Sequence, residues 1–78
     1  MNITTKHTSN ASGRGGVIAK GGGKQKTIPW DHSVSANRNH GRAAAALVQK
    51  VFPVDDWDRI AARATHVANN DGSHTFTV

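Results

Sequence analysis

Residues 35–53 read SANRNHGRAAAALVQKVFP, and this stretch decides the fold. Asp31, Ser33 and Ser35 lie just ahead of it and can each accept from the orphan N–H groups that open a helix, while Pro53 cannot continue one. Projected at about 100° per residue, Asn37, His40, Ala44, Leu47, Val48 and Val51 share one face, with Val34, Gly41 and Phe52 at its margin. The opposite face reads Ser35, Arg38, Asn39, Arg42, Ala46, Gln49 and Lys50. Ala43, Ala44, Ala45 and Ala46 supply helix propensity without bulk, so the helix can lie close against a sheet, and closest at Gly41.

On either side the pattern changes from helical to alternating. Residues 2–8 alternate β-branched and polar side chains, residues 17–20 resume strand character, and residues 24–30 bring Ile28 and Trp30 to one face. The intervening SNASGRGG has loop composition, and Gly21, Gly22 and Gly23 read as a bulge inside a strand. The first 30 residues thus form a long hairpin with flexible glycine-rich loops near 9–16 and 21–23. Pro29 requires an unpaired edge. After the helix, residues 57–64 fit a short helical turn with Trp57, Ile60, Ala61 and Ala64 on one face, and residues 59–68 fit a strand equally well. Residues 63–68 and 73–78 flank Asn69-Asn70-Asp71-Gly72 and form a hairpin. The expectation is one α+β domain over residues 1–78, of ββαββ order, with one helix on an antiparallel sheet of about four strands. Its core is assigned to Ile3, Ile18, Ile28, Trp30, Leu47, Val48, Val51, Phe52, Val67 and Phe76.

Seventy-eight residues leave room for one core. Eleven of the hydrophobic residues are alanine and seventeen are larger, so the core is small. The absence of cysteine excludes disulfides and thiolate metal sites and suits a reducing cytosol. The longest apolar run, residues 43–48, is far short of the roughly 18 residues of a membrane span, and the N-terminus has no signal-peptide core. No membrane partner is expected, and the cytoplasm is the expected location. Trp30 and Trp57 are assigned to packing.

The formal charge of +5 is uneven. Residues 1–42 carry seven cations against Asp31 alone, a balance of +6, whereas residues 43–78 carry three against four aspartates, a balance of −1. Such asymmetry favours encounter with polyanions. Arg14, Lys20, Lys24 and Lys26 sit on glycine-rich backbone able to follow a phosphate chain, while Arg38, Arg42 and Lys50 form an outward helix stripe. These seven are the candidate binding residues. The run from Gly16 to Lys24 fails as a phosphate-binding loop: Ile18 stands where a glycine is needed, Gln25 where a hydroxyl is needed, and no helix follows. Five histidines match no zinc spacing, although His66 and His74 would face each other in a suitable hairpin register. Asp31-His32 and Asn39-His40 are similar to a ββα-metal nuclease motif, but the second pair comes too early and has no accompanying acid. Neither metal nor cofactor nor catalytic group is expected.

Thr27-Ile28-Pro29-Trp30-Asp31-His32 at a strand end, Asn39-His40-Gly41-Arg42 running into the alanines and Leu47, and Asp71-Gly72 before Phe76-Thr77-Val78 resemble small accessory proteins of tailed phages and mobile elements. The order of elements is similar to some small anti-CRISPR inhibitors. The resemblance implies a non-enzymatic protein that inhibits a host complex by direct binding in the host cytoplasm. Many such inhibitors are acidic DNA mimics; a basic chain would instead occlude an acidic or nucleic-acid-adjacent surface. The alternatives are sequence-independent nucleic-acid binding through the seven cations and, last, a metal-dependent nuclease. Either a monomer or a homodimer is open, the latter through an edge strand at residues 75–78.

Overall fold

The computed structural model describes residues 1–9 and 15–78. Strands β1 (Asn2–Ser9), β2 (Gly15–Gly21) and β3 (Lys24–Pro29) precede helices α1 (Ala36–Val51) and α2 (Val54–Arg63), and β4 (Thr65–Ala68) and β5 (His74–Thr77) follow. The fold is α+β, with one antiparallel sheet of order β3-β2-β1-β5-β4. Among the described residues, five strands and two helices replace the expected four and one.

The extra strand arises at the glycines. Gly22 and Gly23 have φ of 58° and 76°, so they form a two-residue turn and not a bulge, and Gly21 pairs with Lys24 across it. Turns of this kind need left-handed backbone at both central positions, which glycine supplies without a Cβ clash. One interrupted strand is therefore two antiparallel ones. Ser9, Gly15 and Gly16, expected in a loop, are paired in strands, and residues 10–14 of that loop lie outside the described residues. β3 is an edge, which accommodates Pro29. β5 lies between β1 and β4, so residues 75–78 are not the free edge; β4 is.

The helix at residues 57–64 wins over the strand. Asp55 and Asp56 occupy its first turn and Arg63 its last, both favourable to the helix dipole. Trp57 Nε1 donates to the Phe52 carbonyl at 2.9 Å and fixes the elbow between the helices.

Ile3, Val17, Ala19, Ala43, Ala44, Leu47, Val48 and Ile60 form the buried core. Ile28, Trp30, Val51, Phe52 and Phe76 pack against it half-buried. Two expected members face the other way. Ile18 lines a shallow depression on the open sheet face with Thr4, Lys6 and Lys20, and Val67 is 59% exposed. The pleat puts Val17 and Ala19 inward instead, opposite Ile28 and Lys26.

The buried face of α1 is also rotated from expectation. Asn37 is exposed and Asn39 is fully buried. Ser35, not Asp31, caps α1 by accepting from Arg38 N at 3.2 Å, while Asp31 Oδ1 accepts from Ser33 N at 2.9 Å in a local turn. Gly41 does not bring α1 nearer the sheet, because a Cβ built there would meet nothing within 4 Å. Its backbone φ is not positive, so alanine fits without strain. Gly41→Ala is expected to raise stability by about 0.5–1 kcal/mol, read from the midpoint of urea unfolding.

Candidate nucleic-acid interface

The turn at Gly22 and Gly23 sorts the expected binding residues. Opposed residues in an antiparallel pair project to the same face, so Lys24 opposite Gly21 and Lys26 opposite buried Ala19 lie on the face that carries α1. Lys20 pairs with Gln25 and Thr4 and lies on the other face, near Lys6. Sequence proximity suggested one basic hairpin; the pleat divides it.

Helix α1 then adds its own cations to the first group. Lys50 Nζ donates to the Gln25 carbonyl at 3.1 Å, which places its ammonium beside the strand segment carrying Lys24 and Lys26. Further along the helix, Arg42 Nη1 stands 3.9 Å from Asp31 Oδ2, an exposed pair that contributes little to stability. Arg38 lies one turn before Arg42 at the capped helix start. Lys24, Lys26, Lys50, Arg42 and Arg38 therefore border one edge of the molecule, with Asp31 as the acid among them. Hydrogen bonds from Ser33 hold the Asp31 carboxyl below its ordinary range, with the nearby Arg42 adding to the effect. Arg14 lies outside the described residues.

A second polar cluster was not anticipated as a unit. His40 on α1 is 2% exposed and sits with Nδ1 2.7 Å from Thr5 Oγ1 of β1. Its ring stacks on His74 of β5 at 3.8 Å between centroids. His66 and His74 are not opposed in the register, in which His66 opposes Phe76 and His74 opposes Ala68; they meet as diagonal neighbours on one face, with His66 Nε2 2.6 Å from His74 Nδ1. Desolvation, aided by the neighbouring histidines His74, His7 and His66, pushes His40 down to about 4, and burial lowers His74 as well. The His40 ring is thus held neutral at neutral pH. The sequence signal for this cluster was the period-two placement of His74 and Phe76, but nothing in it placed His40 above them.

Among the described residues, no three or more histidine or carboxylate side chains converge as metal ligands. His32 is exposed, and the Asn39 amide is occupied by backbone groups. The basic edge offers charge and hydrogen-bond donors to a partner. Among the described residues, no helix is long and apolar enough to cross a membrane. No protein-family model, curated protein or solved structure matches the chain.

Proposed function

We propose that the protein is a non-enzymatic, sequence-independent nucleic-acid-binding protein that grips the phosphate backbone along the β3–α1 edge. The observation that carries this reading is the reach of Lys50 to Gln25, which joins the helix cations to Lys24 and Lys26 with Asp31 the acid beside them. Phosphate contacts by lysine and arginine release counterions, so affinity should fall steeply with salt, by about 0.9 in log–log slope per phosphate neutralised on duplex DNA. In a fluorescence-anisotropy titration of a labelled duplex, the triple variant Lys24→Ala, Lys26→Ala, Lys50→Ala should reduce that slope by about 2–3. Lys6→Ala with Lys20→Ala, on the other sheet face, should leave it within one unit. Equal slopes for the triple variant and the unaltered protein would refute this interface.

A second reading, inhibition of a host nucleoprotein complex by direct binding, draws support from the opposite side of α1. There α2 presents Asp55 and Asp58, a surface that nucleic-acid binding leaves unused. Host nucleoprotein held on the immobilised protein after nuclease digestion, and released by charge reversal at Asp55 and Asp58, would favour this reading; retention only with intact nucleic acid would favour the first.

A further inference from the structure

A groove of about 400 Å³ separates α1 from α2 on the side away from β3. Gly41, Ala44 and Ala45 form one wall, Trp57 and Ala61 the other, and Phe76 of β5 the floor. Its volume is within the range of small-molecule sites, which are typically apolar with a few placed polar groups. Here the polar groups are Asp58 and Gln49. Asp58 is the ionisable side chain of the lining and makes no salt bridge with another described residue, whereas Asp56 on the same helix is engaged by Arg59. Arg59 and Arg63 line a separate depression with Phe52 and Asp56.

Gly41 gives independent reason to regard the groove as more than loose packing. Glycine inside a helix is unfavourable relative to alanine. At this position neither a positive φ nor a close neighbour calls for it. What the missing side chain does is keep the wall open.

We infer that the groove binds a small amphiphilic cation, its apolar chain between Gly41, Ala45 and Ala61 and its ammonium head at Asp58. The site is distinct from the basic edge and does not depend on nucleic-acid binding. Octylammonium chloride is a direct probe, with sodium octanoate as the comparator of opposite charge. In amide NMR titrations at neutral pH, octylammonium should shift the Gly41, Ala45 and Ala61 resonances saturably. Hexylammonium should bind about fifteenfold more weakly, since each methylene buried contributes about fourfold. Octanoate should bind at least fivefold more weakly than octylammonium, and Asp58→Asn should abolish that preference while keeping the shifts in place. Gly41→Leu should fill the groove and remove binding. Scattered or unsaturable shifts with both probes would overturn the site, and octanoate binding as tightly as octylammonium would overturn the role of Asp58. Asp58 is exposed, so Asp58→Asn keeps the test decisive even if Gly41→Leu disturbs the fold.

Discussion

Asn39→Ala should lower stability by about 2–3 kcal/mol, one of the largest losses available to a single polar side chain in this protein. The buried amide ties the end of β3 to the start of α1. Its Oδ1 accepts from Asp31 N at 2.8 Å, and its Nδ2 donates to the carbonyls of Asp31, Ser35 and Val34 at 2.9, 3.1 and 3.4 Å. Alanine improves helix propensity by a few tenths of a kcal/mol but leaves Asp31 N and the Val34 carbonyl without this partner, and it takes a second donor from the Asp31 and Ser35 carbonyls, which keep Val34 N and Asn39 N. Asn39→Asp should be comparably damaging at neutral pH, because it keeps the acceptor for Asp31 N and turns the donor into a carboxylate facing carbonyls. In a domain of this size the loss corresponds to a fall of roughly 10–20 °C in Tm. Urea unfolding of both variants checks the claim, and a loss below 0.5 kcal/mol for alanine would show that the β3–α1 junction is held by packing alone.

Mild acid should destabilise the protein through the histidine cluster. His40 has a pKa of about 4 in the folded chain against an ordinary 6.5, so between these values the unfolded state binds the extra proton. The native state therefore has its full advantage above about pH 6.5, loses it progressively as the pH falls, and has lost all of it below about pH 4. For His40 alone the shift corresponds to at most about 3 kcal/mol, and His74 acts in the same direction. No carboxylate is among the groups that shift His40; its titratable neighbours are His74, His7 and His66, each of which would repel a second proton. Asp31 and Asp71, lowered chiefly by hydrogen bonds from Ser33 and Ser73, contribute only at more acidic pH, below the ordinary carboxylate range. Unfolding free energies measured at pH 7.5 and pH 5 should differ by about 1–2 kcal/mol in the unaltered protein. His40→Gln should reduce that difference by at least half, although it lowers stability at both values. An unchanged pH slope in the variant would remove His40 from the account.

Much of the fold is legible where the sequence carries a local mechanism. Ser35 and Pro53 bound α1, and Asp71-Gly72, with Gly72 at φ 87°, turns the last hairpin. The sheet frame is less legible because Val17, Ile18 and Ala19 are all apolar, so alternation does not say which one faces inward. Pairing with β1 and β3 decides it. The rotation of α1 is hidden for the same reason, since four successive alanines look alike from every side and the buried bonds of Asn39 and His40 help fix the angle. The candidate interface was visible as charge but not as shape. Lys20, Lys24 and Lys26 are close in sequence, and the two-residue turn between them separates Lys20 from the others by the thickness of the sheet. Lys50 joins the edge through a side chain to backbone bond that no local pattern announces.

The position of β1 has a consequence for how the chain reaches this state. The strand formed by residues 2–9 is the middle of the sheet, flanked by β2 and by β5, whose partner residues are more than 60 positions further along. During synthesis β1 can pair with β2 early, but its other side waits until residues 74–77 have emerged. Closing so long a loop is slow and leaves one rim of the nascent hairpin open to wrong partners in the meantime. The strand at residues 74–77 is thus the one that commits the strand at residues 2–9.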